Sequence, residues 1–208
     1  MRKVLEKVER RLGEKLFLKG EHCAGTKCAV VRRNYPPGIH GQKKKGRRGK
    51  SEYSQLLREK QKVRFSYGLG DKDIERYSKK ASERSGLFED EFIKMIESRL
   101  DNVVWRFGFA VSRRAARMMV NHGHITVNGK IVSIPSYQLK KGDAVAVKDA
   151  SLASFLFTDL DTRFKKLEMP HWLSLDKTKK TGTLLSRPGA EDLQENFEFS
   201  KIKEYYSR

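Results

Sequence analysis

The chain has 208 residues and a formal net charge of +19. No apolar run approaches the roughly 18 residues that a membrane-spanning helix needs, and the charged start MRKVLEKVERR lacks the apolar core of a secretory signal. Two cysteines do not make a disulfide framework, which predicts a reducing compartment.

The positive charge is concentrated near the N-terminus. Residues 1–50 hold 16 Lys or Arg against 4 Glu, a net of +12, and the remaining residues hold 29 against 22, a net of +7. Such a local excess favours a polyanionic partner, with nucleic acid ahead of an anionic membrane, over a protein that is basic in general. The stretch HGQKKKGRRGK has six cations and no acid, so we expect it to order only against a polyanion. An alternative interpretation of KKKGRRG alone is an intracellular targeting signal, which such basic runs resemble.

Helical patterns follow between residues 51 and 108. Ser51 is a predicted N-cap, and SEYSQLLREKQKVRFSYG predicts a helix with cations interleaved among its apolar residues. A second helix is predicted from about Asp71 to Ser85. The strongest pattern, FEDEFIKMIESRLDNVVWRFG, predicts one continuous helix that Gly108 closes.

The next segment predicts a helix and then a small antiparallel sheet. Ser112 caps a short helix, SRRAARMMVNHG, that ends at Gly123. In ITVNGKIV, the pair Asn128-Gly129 is typical of a two-residue type I′ hairpin. Further strands are predicted around Tyr137–Leu139 and in AVAV.

The C-terminal part has weaker patterns. WLSL is a strand candidate, KTKKTGT is predicted to be flexible, and FSKIKEYYSR predicts a final helical turn or two. Residues 189–208 carry 5 acids against 3 bases, so we expect this end to pack on protein and not to bind RNA.

These elements predict an α+β fold in two lobes. Residues 1–50 form a basic, loop-rich extension, and residues 51–92 form a helical lobe joined by residues 189–208. Residues 93–150 form a helix-helix-antiparallel-sheet module, and residues 151–208 form a C-terminal segment that packs back on the protein.

The two histidines beside Gly123 invite a metal or catalytic interpretation. A structural zinc site needs four ligands at workable spacing, but His122 and His124 have no cysteine or carboxylate near them in the sequence. They remain candidates for a helix cap, a turn residue or an RNA contact. The sequence also lacks G-x-x-x-x-G-K-[ST], G-x-S-x-G and H-E-x-x-H motifs.

A predicted RNA-binding surface combines the basic loop, the helix from Ser51 and the corner where the arginine-rich helix meets the hairpin. Arginine forks suit phosphates, and structured RNA is recognised largely through shape, phosphates and 2′-hydroxyls. The predicted contacts are Lys43, Lys44, Lys45, Arg47, Arg48, Lys50, Arg58, Lys62, Arg64, Arg113, Arg114, Arg117, His122, His124 and Lys130.

The segment SRRAARMMVNHGHITVNGK resembles the RNA-binding module named after the ribosomal protein S-four family, which also occurs in pseudouridine synthases and some tRNA synthetases. The flanking segments resemble the bacterial-type family itself, in order and over nearly the whole chain. They are LFLKGEHC, KCAVVRRNYPPGIHGQ, SEYSQLLREKQKVR, ESRLDNVVWRFGFAVSRR, IPSYQLKKGD and EYYSR.

The resemblance implies a cytoplasmic structural component of the small ribosomal subunit, although an organellar ribosome is an alternative. Such proteins bind small-subunit rRNA early in assembly at a junction of its 5′ domain. They lie at the mRNA entrance beside proteins S-three and S-five and contribute to decoding accuracy, and some repress their own operon. No enzymatic activity and no cofactor are implied.

Two other functions compete. An RNA-modifying enzyme would use the same module, but about 60 residues remain after it, too few for a typical catalytic domain. An mRNA regulator or ribosome-quality factor would be favoured if the protein were absent from intact small subunits.

The chain departs from some family members at a zinc site made by two cysteine pairs. Cys23 and Cys28 would be the second pair, and Glu6 and Glu9 stand where the first would be. A Glu2Cys2 structural site would be unusual, so we predict that no metal is bound. A mixed site with His22 and His40 is an alternative.

Overall fold

The computed structural model describes residues 5–42, 51–193 and 197–207. The α-helices in these ranges are α1 (Leu5–Leu12), α2 (Ala29–Arg32), α3 (Glu52–Ser66), α4 (Asp71–Ser82), α5 (Phe88–Glu97), α6 (Leu100–Arg106), α7 (Arg113–Asn121), α8 (Asp149–Leu152), α9 (Leu160–Lys166) and α10 (Phe199–Ser207). The strands are β1 (Ile125–Val127), β2 (Lys130–Ile131), β3 (Ala144–Val147), β4 (Leu173–Asp176) and β5 (Thr181–Leu184). None of the described helices has the length and apolar character that crossing a membrane requires. The predicted α+β class is confirmed.

The chain divides into two compact units, residues 1–88 with 196–208 (unit 1) and residues 89–195 (unit 2). In unit 1, α10 packs against α3 and α4, while α1 packs against α2 and α3. Buried side chains such as Val63, Ile74 and Ile202 form its core. The predicted cap at Ser51 is present, since its side chain accepts a hydrogen bond from the Ser54 amide at 3.3 Å.

The helix predicted across residues 88–107 is broken in unit 2 between α5 and α6. Arg99 has extended backbone angles (φ −67°, ψ 138°) and stands at the N-cap of α6. The segment predicted as a strand at 137–139 satisfies the backbone groups that this break releases. The Leu100 amide donates to the Tyr137 carbonyl at 2.9 Å, and the Leu139 amide donates to the Ser98 carbonyl at 2.9 Å. The single predicted helix is therefore two helices, and the predicted strand is reduced to one β-bridge between Gln138 and Arg99, because these two segments bond to each other.

Unit 2 contains a five-stranded antiparallel sheet in the order β2-β1-β3-β5-β4. The predicted hairpin turn joins β1 to β2, and both of its central residues have positive φ, +50° at Asn128 and +77° at Gly129. This is the signature of a type I′ turn. The Asn128 side chain also ties the turn to β3, because its Oδ1 accepts from the Ala144 amide at 2.9 Å.

Strands β4 and β5 lie in the C-terminal part, where the sequence patterns were weak. β5 lies over the buried ring of Phe107, and a Cβ built on Gly182 would lie 2.3 Å from that ring. Only glycine permits this approach of strand to helix. The apolar core between α6, α7 and the sheet also includes Phe109, Phe164 and Trp172, so residues after 150 complete the core of unit 2.

Candidate RNA-binding surface

Helix α7 carries the three arginines of the predicted surface, and its N-terminus is defined as predicted. The Ser112 hydroxyl accepts a hydrogen bond from the Ala115 amide at 3.2 Å. Ala116, Met119 and Val120 are buried against the core. Because these positions follow the helical period, the other side of α7 faces outward.

The three arginines have different environments. Arg113 turns inward, with 10% of its side chain exposed. Its guanidinium lies 3.9 Å from the centre of the Trp105 ring, and its Nε donates to Asn102 Oδ1 at 2.8 Å. Arg117 is 41% exposed, with Nη1 3.8 Å from Asp101 Oδ2. Arg114 is exposed. The structure therefore presents Arg114 fully and Arg117 partly to a ligand, whereas Arg113 is mainly part of the framework.

The framework beneath α7 is a buried ionic network. Glu97 is 1% exposed and accepts two hydrogen bonds from Arg106, at 3.1 and 3.0 Å, and one from the Asn102 side chain at 2.8 Å. Arg99 donates to both oxygens of Asp101, at 2.9 and 2.7 Å. Paired, forked contacts of this kind fix geometry. Because Asn102 binds both Glu97 and Arg113, the network holds the start of α7 in place.

No sequence pattern described above predicted this network, although Glu97 and Asp101 both lie in the segment ESRLDNVVWRFG. Charged residues that recur within an apolar helical pattern were a signal that could have found it. Charges at positions expected to be buried are stable only when paired, so these acids predicted partners among the nearby arginines.

The two histidines lie together where α7 ends and β1 begins. The centres of their rings are 6.2 Å apart. His122 is exposed at the C-cap of α7. His124 is half-buried, with its Nδ1 3.0 Å from Ser151 Oγ and its ring against Phe157. Within the described residues, no group of three or more His, Cys, Asp or Glu is arranged to hold a metal. His122 is available to a ligand, while His124 has partners inside unit 2.

Lys130 lies on the exposed hairpin strand β2, paired in register with Val127. It stands at the turn end of the hairpin, whereas His124 precedes the other end of β1. The structure thus separates these two members of the predicted corner by the length of β1, which at about 3.4 Å per residue is on the order of 10 Å.

The predicted contacts on α3 in unit 1 are engaged with acids. Arg58 donates to Glu14 at 3.0 Å, and Arg64 pairs with Asp71 at 2.8 Å. The Lys62 side chain is 8% exposed and pairs with Glu14 and Glu59, both at 2.7 Å. Burial by itself would lower the pKa of Lys62, but its two carboxylate partners outweigh burial and raise that pKa above its usual value. Lys62 is therefore charged but not presented at the surface.

The six cations predicted to contact RNA between residues 43 and 50 lie outside the described residues. They are Lys43, Lys44, Lys45, Arg47, Arg48 and Lys50.

The residues aligned with the zinc site of some family members have other partners here. Glu6 forms an ion pair with Lys19, and the hydrogen bond from Lys19 lowers the pKa of Glu6. Glu9 is fully buried, and its Oε1 accepts hydrogen bonds from the amides of Leu16 and Leu18 at 3.1 and 3.2 Å.

Cys23 completes this arrangement, with its Sγ 3.9 Å from both Glu9 oxygens. Burial, followed by the nearby Glu9 charge, raises the pKa of the Cys23 thiol. A carboxylate already bound to two backbone amides is a poor zinc ligand, and a Glu2Cys2 set would be unusual for a structural site. The donor set does not fit a structural zinc site, and Glu9 organises the loop through hydrogen bonds instead.

We expect purified protein to contain far less than one zinc per chain, because neither glutamate is free to ligate. Metal analysis by plasma mass spectrometry after dialysis checks this. The matched control is the double variant Glu6→Cys/Glu9→Cys, which restores two cysteine pairs and should hold about one zinc per chain. One tightly held zinc in the parent protein would contradict the prediction.

A second prediction separates Arg113 from Arg114. Arg114→Ala should leave the free energy of unfolding within about 0.5 kcal/mol of the parent and reduce RNA affinity several-fold, with a salt slope smaller by about 0.8. Arg113→Ala should cost about 1–3 kcal/mol of stability, because it removes the stacking on Trp105 and leaves Asn102 Oδ1 without its donor.

Chemical denaturation and a salt series of RNA titrations measure both effects. Arg114→Lys is the control, since it keeps the charge and should retain the slope. Equal stability losses in Arg113→Ala and Arg114→Ala would show that the two side chains do not differ as described.

Comparison with known proteins covers almost the entire chain. Residues 3–97 match the ribosomal protein S4/S9 N-terminal domain family, and residues 98–145 match the S4 domain family. The chain is 46% identical over 200 residues to the small ribosomal subunit protein uS4 of Syntrophomonas wolfei. It is 45% identical over 199 residues to that of Halothermothrix orenii and 46% identical over 199 residues to that of Thermus thermophilus. Each alignment spans 96% of this chain and 94% of the relative.

Proposed function

The chain belongs to the family of small-subunit ribosomal protein S4, and from this membership we propose that it binds the 5′ domain of small-subunit rRNA directly and nucleates its assembly. As a member of this family it is a structural component of the small ribosomal subunit in the cytoplasm, and it is not an enzyme. The bacterial-type relatives account for the resemblance seen along the whole sequence.

The observation that carries the proposal is the match of both family domains to a chain whose excess charge is local. Residues 1–50 hold a net charge of +12, and the S4 domain at residues 98–145 contains helix α7, on which Arg114 is exposed and Arg117 is partly exposed. Cations that are available at a surface neutralise phosphates and release counterions, which supplies affinity without sequence information. Shape selection then comes from the buried framework that holds α7 within unit 2.

The proposed contacts follow from charge in the sequence for residues 43–50 and from exposure for the described residues. Side chains that touch RNA are the cations between residues 43 and 50, together with Arg114, Arg117, His122 and Lys130. Side chains that hold the surface in shape through internal partners are Arg58, Lys62, Arg64, Arg113 and His124.

The location in the subunit is proposed from family membership. The protein would lie at the mRNA entrance beside ribosomal proteins S-three and S-five, contact mRNA there and contribute to decoding accuracy. Proximity of the chain to these two proteins in isolated small subunits, measured by chemical crosslinking and mass spectrometry, tests this part independently of RNA affinity.

Direct titration tests RNA binding. The full chain is titrated with a small-subunit rRNA 5′-domain fragment and, in parallel, with an unrelated structured RNA of equal length, over a salt series. We expect strong preference for the rRNA and a slope of log affinity against log salt of roughly −5 or steeper. Equal affinity for both RNAs would show that charge alone drives binding and would overturn the proposal.

A further inference from the structure

The loop between β4 and β5 in unit 2 is a lysine-rich tip with a defined conformation. Lys177, Thr178, Lys179 and Lys180 connect two strands that pair in register as far as Asp176 and Thr181. Lys177 and Lys179 are exposed. The sequence patterns predicted a flexible segment here, whereas the structure shows a hairpin.

Asp176 holds this tip in shape. Its Oδ1 accepts hydrogen bonds from the Thr178 hydroxyl at 2.6 Å, the Thr178 amide at 3.0 Å and the Lys179 amide at 3.1 Å. The Thr178 hydroxyl bond and then the Lys179 amide bond lower the pKa of Asp176. The carboxylate thus fixes the backbone of the turn, so the points from which the lysine side chains extend are set before any ligand binds.

The register of the sheet brings a further cation to the same end. Thr181 at the start of β5 pairs with Ala146 near the end of β3. Lys148 follows two residues after Ala146, and Lys179 precedes Thr181 by two. Adjacent strands are about 4.8 Å apart, so Lys148 and the hairpin tip lie at one end of the sheet.

The lysines at this end are not neutralised. In the part of the chain that the structure describes, Lys148, Lys177, Lys179 and Lys180 form no ion pair within 4 Å, in contrast to Lys62 in unit 1. The nearby acids are Asp176, which is engaged in the turn, and Asp149 at the start of α8. Four cations against these two carboxylates leave this sheet end with a net positive charge, which favours a polyanion.

We propose that Lys148 and the β4–β5 hairpin tip form a second phosphate-binding surface of unit 2, outside the S4 domain, whose ligand is the sugar-phosphate backbone of structured RNA. The tip contains no apolar side chain that could enter a lipid bilayer. Lysine ammonium groups act on phosphates as point charges and carry no base specificity. This inference rests on the proposed function, since it adds a contact to the same rRNA.

The test compares two pairs of lysines in the full chain. Lys177→Ala/Lys179→Ala removes two charges from the tip and keeps Asp176 and Thr178. Lys140→Ala/Lys141→Ala removes two charges from exposed positions at the opposite end of the sheet, where the Gly142 amide donates to the Leu184 carbonyl. Both variants and Lys177→Arg/Lys179→Arg are titrated with the rRNA 5′-domain fragment over a salt series, after circular dichroism shows unchanged melting.

For the tip variant we expect about tenfold weaker binding near 0.1 M salt and a slope smaller by about 1.6, or about 0.8 per lost phosphate contact. The opposite-end variant should bind within about twofold of the parent, and the arginine variant should keep the parent slope. A tip variant with parental affinity and slope overturns the inference, and so do equal losses in both alanine variants. Failure of the parent to prefer rRNA would instead overturn the proposed function.

Discussion

Replacing Glu97 with alanine should lower the free energy of unfolding of unit 2 by about 3–5 kcal/mol, because it leaves a buried charge without its partner. Arg106 is 5% exposed and donates two hydrogen bonds to Glu97, at 3.1 and 3.0 Å. The Asn102 side chain, which also donates to Glu97 at 2.8 Å, would lose a fixed acceptor and with it the orientation that holds Arg113. Hydrogen exchange of the amides in β1 and β3 measures the loss.

The control lies on the same helix. Lys94→Ala removes a partly exposed ion pair with Glu91 at 2.8 Å, and such pairs contribute about 0–1 kcal/mol. A Glu97→Ala variant that unfolds as the Lys94→Ala variant does would show that the buried network does not stabilise unit 2. The second consequence we expect is reduced RNA affinity, since α7 would no longer be held by Asn102.

Changing the six cations between residues 43 and 50 to alanine should produce the largest loss of RNA affinity in this chain. Each neutralised phosphate adds about 0.7–0.9 to the salt slope, so six lost contacts should flatten it by about 4–5 and weaken binding by at least about a hundredfold near 0.1 M salt. The physical reason is that KKKGRRGK carries six positive charges without one acid. A salt series of rRNA titrations measures both quantities.

A permuted segment is the matched control. If residues 43–50 are reordered with unchanged composition, net charge is kept, and electrostatic binding to phosphates should retain most of the affinity. A permuted variant that loses as much as the alanine variant would show that particular side chains are read in particular places. An unchanged slope in the alanine variant would mean that this segment does not neutralise phosphates.

Local sequence patterns predicted an element correctly where that element is stabilised by residues close to it in the sequence. The caps at Ser51 and Ser112 and the hairpin at Asn128-Gly129 formed as predicted. In each case the side chain or the backbone angle satisfies groups within a few residues. The apolar spacing of FSKIKEYYSR likewise predicted a final helical turn or two, and α10 occupies Phe199–Ser207.

Predictions from local patterns failed elsewhere, where contacts between segments distant in sequence decide the structure. The apolar residues before and after ESRLDN recur with a helical period. The helix is nevertheless interrupted at Arg99, because the loop at 135–139 supplies hydrogen-bond partners for the amides that the interruption releases. Strand β5 was missed because TGTL has little apolar pattern. Its place in the sheet depends on Gly182 fitting over Phe107, which is distant in sequence.

By itself the sequence determined the α+β class, the family and the basic character of the protein. Composition, helix caps and the order of motifs can all be read without knowing which distant residues meet. Only the tertiary structure decided which cations are available. Arg113, Arg114 and Arg117 cannot be distinguished in the sequence. In the structure, Arg113 is buried against Trp105 and stabilises the fold, whereas Arg114 is exposed. Arg117 is partly exposed and lies near Asp101. The reason is that desolvation and pairing depend on neighbours brought together from distant parts of the chain, which no local pattern records.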